Sequence, residues 1–265
     1  MSDVLQAIVA SARKSAEERE RVTPRAAMDR LAAACTPRGA AFRESLNASG
    51  VRVIAECKRR SPSRGVLREA YDPAAIASGY ARAGAAGVSV LTEPAFFDGA
   101  LDHLRAVRAA VTTPILRKDF IVNAYQTAEA RAAGADAVLL IVAALDDASL
   151  RALLGEAEQH GLMALVEAHT ADEVQRAADA GATVIGVNCR DLKTLAVDTA
   201  TFERVAPIMP AGVTRVAESG IRSVEDIHRL RGLGYHACLI GERFMTAPDP
   251  GAALAAFLGN PEGGA

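Results

Sequence analysis

The 265-residue sequence has no tryptophan, and only 4% of it is aromatic. Its four cysteines, Cys35, Cys57, Cys189 and Cys238, are scattered. They form no C-x-x-C pair and no metal-ligand spacing, which excludes a zinc motif and predicts reduced thiols. No stretch approaches the ~18–20 continuous apolar residues of a bilayer span, so no membrane partner is expected. The start, Met1-Ser2-Asp3-Val4, lacks the basic-then-apolar order of a secretory signal, and a cytoplasmic protein is expected. Positive charge does not dominate either. Thirty basic residues face 32 acidic ones, net −2, without a basic block, which excludes a dedicated nucleic-acid binder. Lysine itself is scarce: Lys14, Lys58, Lys118 and Lys193 are the only ones, and every other basic residue is arginine. In such a chain a retained lysine hints at a place where a compact, titratable ammonium is wanted.

What is present is apolar. Half of the residues are hydrophobic and 23% charged, enough for a sizeable core. The length suits one (β/α)-type barrel of about 250 residues, or two small domains. From residue 51, near-continuous apolar runs alternate with alanine-rich helical stretches. The expected strands are Val51–Glu56, Val88–Thr92, Ile115–Lys118, Ala137–Val142, Met163–Glu167, Val184–Asn188, Thr214–Glu218 and Ala237–Ile240. Such runs suit parallel strands covered on both faces. Asp72-Pro73, Thr170 with Glu173 (a capping box), Ser223 with Asp226, and Asp249-Pro250 mark helix starts. Gly84, Gly134, Gly181 and Gly234 recur roughly 50 residues apart, each closing a helix before a strand. An α/β fold follows: a (β/α)8 TIM barrel. No G-x-G-x-x-G follows the first strand, which disfavours an open Rossmann-type sheet.

Residues 1–50 break the alternation. Val4, Leu5, Ile8, Val9 and Ala12 form a helical stripe after Ser2-Asp3, and Met28 and Leu31 sit on a second short helix. The expectation is a single domain: a helical extension over 1–50 packed near one mouth, a barrel over 51–258, and a frayed tail over 259–265.

Barrel chemistry sits where strands end, so polar residues closing apolar runs are site candidates. With a period of two, Ile54, Glu56 and Lys58 share one face, as do Leu116, Lys118 and Phe120. Glu167, Asn188 with Arg190, and Glu218 end the fifth, sixth and seventh strands. Lysine and glutamate across a barrel mouth suit proton transfer, with desolvation expected to bring a lysine down and a glutamate up toward neutral pH. Ser219-Gly220 and Gly241-Glu242 follow the last two strands, where barrels frequently offer backbone amides to phosphate. Arg59, Arg60 and Arg64 suit an anionic small substrate. Thr92-Glu93 reads as a solvated loop, and His169 is left outside the site. On residues alone, a proton-transfer enzyme, a Schiff-base aldolase with Lys118 as nucleophile, and a phosphosugar-binding barrel all remain open.

The stretch Val53-Ile54-Ala55-Glu56-Cys57-Lys58-Arg59-Arg60-Ser61-Pro62-Ser63 carries an E-x-K-x-x-S-P pattern that resembles the indole-3-glycerol phosphate synthase signature. The resemblance runs on through Leu116–Ile121, Leu165–Glu167, Gly186–Leu192, Ala217–Ile221 and Leu239–Glu242, and covers essentially the whole chain. It implies closure of the ring of 1-(2-carboxyphenylamino)-1-deoxyribulose 5-phosphate, with loss of carbon dioxide and water, in tryptophan biosynthesis. It implies Lys118 as general acid and Glu167 as general base or relay. Glu56, Asn188 and Glu218 would hold hydroxyls and developing iminium charge, and Lys58 and Arg190 anionic groups. Ser61 joins the substrate-binding set, Phe120 would pack on the aromatic ring, and Ser219, Gly220, Gly241 and Glu242 would bind phosphate. No cofactor and no metal are expected, and the chain is expected to be a monomer or weak dimer. The isomerase barrel of the same pathway is disfavoured, because Glu56 and Lys58 stand where that family ends its first strand with a cysteine base.

Overall fold

In the computed structural model, which describes residues 3–36 and 38–259, eight parallel strands close into a barrel. They are β1 (Val53–Cys57), β2 (Gly87–Leu91), β3 (Ile115–Lys118), β4 (Ala137–Ile141), β5 (Met163–Ala168), β6 (Val184–Asn188), β7 (Thr214–Glu218) and β8 (Ala237–Ile240). Each pairs with its sequence neighbours, and β8 returns to β1 through Val53 opposite Cys238 and Ala55 opposite Ile240. All eight expected runs form strands, with ends shifted by up to two residues. The largest shift is at β1, and Val142 leaves the end of β4 for a 3-10 turn over Val142–Ala144. The expected frayed tail beyond Gly259, the Ser2 start signal and the Val4 side chain lie outside the described residues.

The helices are α1 (Asp3–Val22), α2 (Arg25–Ala33), α3 (Gly39–Asn47), α4 (Pro73–Ala83), α5 (Leu101–Ala110), α6 (Ala124–Ala132), α7 (Asp147–Gln159), α8 (Ala171–Asp179), α9 (Thr201–Val205), α10 (Val224–Gly232) and α11 (Pro250–Phe257). Their starts follow side-chain capping. Asp72 accepts from the N–H groups of Ala74 and Ala75, Ser223 and Asp226 form a reciprocal box, and Asp249 accepts from Ala252 N. The box expected at α8 is only half made. Thr170 accepts from Glu173 N, but the Glu173 carboxylate turns to His169, one residue before the cap. The four recurrent glycines have φ of 93°, 92°, 90° and 85°, a left-handed turn that reverses the chain into the next strand.

Strand alternation sorts the core into two populations. Val53, Ala55, Val88, Val90, Ile115, Val138, Leu140, Val166 and Ile185 face the helices. Ile54, Leu116, Leu139, Leu165, Val184, Val216 and Leu239 fill the lumen, together with Phe42 and Leu46. These last two belong to α3, an element the sequence reading did not predict. Its Gly39 packs against Gly161–Met163 so closely that a Cβ would overlap backbone, and Phe42 lies under Gly87 and Ile54 at the strands' N-terminal ends. The extension therefore does not gather at one mouth. α3 plugs the lower opening, while α1 crosses the upper one against α6, the Pro94–Phe97 turn and the Val142–Ala144 turn. A lumen whose lowest layer is apolar needs such a cover to stay out of water. On α2, Met28 is buried, but Leu31 is 53% exposed.

Candidate active site

The candidate catalytic and substrate-binding residues at the strand ends and in the loops above line one cavity of about 1060 Å³ at the C-terminal mouth. Glu56 and Lys58 reach it from β1, Lys118 and Phe120 from β3, Glu167 from β5, Asn188 and Arg190 from β6, and Glu218, Ser219 and Gly220 from β7. Ser61, on a two-residue ribbon pairing Arg60–Ser61 with Gly65–Val66, stands at the rim, and Gly241 and Glu242 close the far side. Lys14 and Lys193 are exposed elsewhere, so two of the four lysines converge here.

The centre is a charge cluster around Lys118. Its Nζ lies 3.4 Å from Glu167 Oε2 and 3.9 Å from Glu218 Oε2. Lys58 Nζ is in direct contact with Glu56 Oε1. Burial alone would push the Lys118 ammonium down, but Glu167, then Glu218 and Glu56, outweigh it and hold it well above its ordinary value. Burial works the other way on Glu167, where Lys118 and then His169 prevail and keep the carboxylate ionised. Burial, then the charge of Glu167, raises the Glu218 carboxyl well above its ordinary value. Two carboxylates sharing one pocket cannot both ionise cheaply, so one holds its proton. Glu56 is held low: burial opposes, but Lys58 and Lys118 outweigh it.

The expectation of a lysine brought down is thus corrected: Lys118 goes up, because three carboxylates surround it. The expected glutamate brought up is Glu218, while Glu167 goes down. The result is an ammonium, an ionised carboxylate and a protonated carboxyl within reach of one point. Environments that push like groups apart in this way separate acid from base. Glu218 Oε1 is buried against Gly186 and has no hydrogen-bond partner among the described residues.

Two glycines make this packing possible. A Cβ on Gly186 would overlap Glu218 Oε1, and one on Gly241 would overlap Glu56 Oε1. Gly241 therefore makes room for a carboxylate whatever its backbone amide binds. Gly186 escaped the sequence reading, because a glycine inside a strand does not name the side chain it accommodates.

The rim has a different character. Ser219 has φ 68° and Gly220 φ 71°, two consecutive left-handed residues that turn the backbone sharply after β7. A serine held there stores about 1–3 kcal/mol of strain, the sort found at ligand sites. Glu242 caps this corner with its side chain paired to Arg64 Nε at 3.0 Å and 4.0 Å from Arg190 Nη2. Arg59 and Arg60 pair instead with Asp98, so only Arg64 of the three loop arginines lines the cavity. Phe120 lies 6.4 Å from Phe97, and Leu5 and Ile8 of α1 add an apolar wall.

Thr92 and Glu93 are not solvated. Both are buried, Thr92 Oγ1 bonding to Asp119 Oδ2 at 2.6 Å and Glu93 accepting from Ala95 and Phe96 N–H to build the turn that carries Phe97. His169 is also part of the site: its Nε2 lies 3.3 Å from Glu167 Oε1. The signal available in the sequence was its position two residues beyond Glu167, past the end of β5.

Residues 5–257 match the family described as indole-3-glycerol phosphate synthase. The chain is 51% identical over 256 residues to the synthase of a Nocardioides species, covering 97% of this chain and 98% of that one. It is 49% identical over 252 residues to that of Mycobacteroides abscessus, covering 95% and 92%. Among solved structures, 3-hexulose-6-phosphate synthase aligns with a TM-score of 0.62 at 17% identity, covering 79% of this chain and 99% of that one. Thiamine phosphate pyrophosphorylase from Pyrococcus furiosus aligns at 0.61 and 15%, covering 83% and 98%. At such identities these two share the fold alone.

Proposed function

The chain belongs to the indole-3-glycerol phosphate synthase family, and on that premise we propose which of its residues carry each step of the reaction. The activity is that of a carboxy-lyase in tryptophan biosynthesis acting on a phosphorylated small molecule, 1-(2-carboxyphenylamino)-1-deoxyribulose 5-phosphate. The ring carbon bearing the carboxylate attacks the ribulose carbonyl, carbon dioxide leaves, and water is lost to form the indole.

Lys118 is the acid for the carbonyl oxygen. The acceptor is a developing alkoxide, a strong base, so an ammonium with a raised pKa still delivers its proton and never loses it to water at neutral pH. Loss of carbon dioxide then restores aromaticity, which is its own driving force. Dehydration needs a proton taken from the carbon beside the nitrogen and one given to the departing hydroxyl. Glu167, ionised, takes the first; Glu218, protonated, is placed to supply the second. Glu56, held ionised by Lys58, faces the positive charge that develops on the nitrogen during ring attack. The backbone amides of Ser219, Gly220, Gly241 and Glu242 take the phosphate, with Arg190 beside them. Lys58 takes the ring carboxylate, Asn188 a hydroxyl, and Phe120 the aromatic ring, with Ser61 at the rim. Phosphate held this far from the reacting carbons supplies positioning energy.

The observation that carries this reading is the Lys118 ammonium 3.4 Å from the Glu167 carboxyl and 3.9 Å from that of Glu218, the first held low by Lys118 and the second pushed up by burial and by Glu167. Indole fluorescence should grow when the enzyme meets its substrate, and Lys118→Met should cut kcat by about 10²–10⁴-fold. Borohydride added during turnover should leave Lys118 unlabelled; a trapped adduct would make it a Schiff-base nucleophile instead. The reading includes a cytoplasmic location, supported by the family's biosynthetic role, and a monomer or weak dimer, which sedimentation would test.

A further inference from the structure

His169 follows β5, and the steps above do not use it. Its side chain is 9% exposed and stands between two carboxylates. Nε2 is 3.3 Å from Glu167 Oε1, an ion-pair distance with off-line hydrogen-bond geometry. Nδ1 is 3.2 Å from Glu173 Oε2, and that same oxygen accepts the His169 backbone N–H at 2.7 Å. Glu173 in turn is fixed by the first turn of α8, where its own N–H bonds to Thr170 Oγ1 at 3.2 Å. An imidazole with a carboxylate at each nitrogen needs a proton on both. The groups facing it are Glu167 from its own strand and Glu173 from α8. Lys118 on β3 and Glu218 on β7 act on Glu167 from across the lumen, and Arg176 on α8 acts on Glu173.

The two oxygens of Glu167 are thereby addressed differently: Oε1 toward His169, Oε2 toward Lys118. The last torsion of a glutamate is broad and roughly two-fold, so without a partner on Oε1 the carboxylate plane would rotate. We propose that His169 is a positioning residue which, as an imidazolium braced by Glu173, fixes the plane of the Glu167 carboxylate and keeps it ionised, leaving Oε2 to work. This rests on Glu167 acting as the base. It also explains the half-made capping box of α8: Glu173 gives up the reciprocal bond to Thr170 in order to hold the histidine.

Burial opposes the charge on His169, but Glu167 and Glu173 outweigh it and raise the ring to about 10, in keeping with a permanent cation at neutral pH. A ¹H–¹⁵N pH titration of the intact enzyme tests this without any variant. Both ring nitrogens should remain protonated at pH 8, and a neutral tautomer there would overturn the proposal. Kinetics supply the second arm. His169→Gln should lower kcat by about 10- to 100-fold with KM little changed. It should also move the acid limb of the kcat profile to higher pH by about one unit or more, because Glu167 loses a cation. Glu173→Gln should bring the alkaline loss of activity to lower pH, and His169→Gln in a folded protein with unaltered kcat and acid limb would refute the idea. Glu167→Gln separates the two claims. If it stays active, the base assignment itself fails; if it is dead while His169→Gln is unaffected, only the positioning role fails.

Discussion

Arg117 and Lys118 are adjacent on β3 and face opposite ways. Arg117 is fully buried outside the barrel wall, paired with Asp119 Oδ2 at 2.8 Å and Glu129 Oε2 at 3.0 Å, while Lys118 points into the lumen at Glu167 and Glu218. Glu129, on α6, is also bound by Arg19 of α1 at 2.6 Å, and Asp119 Oδ1 accepts the Phe120 N–H. One run of charges therefore ties the helix over the mouth to the strand that carries Lys118 and to Phe120 beyond it.

Arg117→Met should destabilise the protein by about 3–5 kcal/mol, because it leaves Asp119 and Glu129 buried with less compensation. Urea unfolding monitored by circular dichroism measures this. A variant as stable as the parent would show that the network contributes nothing net.

Gly186→Ala tests the room reserved for Glu218. The added methyl overlaps Glu218 Oε1, so the carboxyl must turn away from Lys118. The expected result is a folded protein with kcat reduced about 10²-fold, as for a misplaced catalytic group. Gly241→Ala should do the same to Glu56, and normal turnover in either would show that the carboxyl positions are not required.

The two ends of the extension should fail differently. Phe42→Ala removes the plug of the lower mouth and should cost about 3–5 kcal/mol, with kcat and KM preserved in the surviving folded fraction. Ile8→Ser weakens the apolar wall over the cavity, in which Ile8 is itself buried, and should raise KM several-fold as well as lower the melting temperature. Steady-state kinetics alongside thermal melts read both. Equal KM values for Ile8→Ser and the parent would remove α1 from the binding site.

Stability should also report on His169. Its pKa rises from the ordinary 6.5 to about 10 on folding, so the charged form is favoured in the native state. That contribution is fully present below pH 6.5 and is lost as pH rises toward 10. Glu173 has the opposite sign: its lowered pKa contributes above the ordinary 4.5 and is lost as pH falls. The difference in melting temperature between the parent and His169→Gln should therefore shrink between pH 7 and pH 10. A difference that is constant across this range would contradict the charged state.

The pattern of eight buried strands, their helix starts and the glycines between them was legible because each depends on neighbours a few residues away. So was the group of polar residues at strand ends, since alternation along a strand is local and the family signature on β1 and beyond marks the same positions. α3 was not legible. Phe42 and Leu46 are only two apolar positions on a short helix, and the lower mouth they fill is assembled from every strand of the barrel.

The sequence by itself determined which residues would stand at the barrel's mouth and hence the chemistry available there. The tertiary structure alone decided their charge states, which carboxyl keeps its proton, and that His169 belongs among them. Protonation depends on what lies within a few ångströms across the lumen, and Lys118 meets Glu167 there over a separation of 49 residues. Closing the barrel sets those distances, and no local pattern in the chain encodes them.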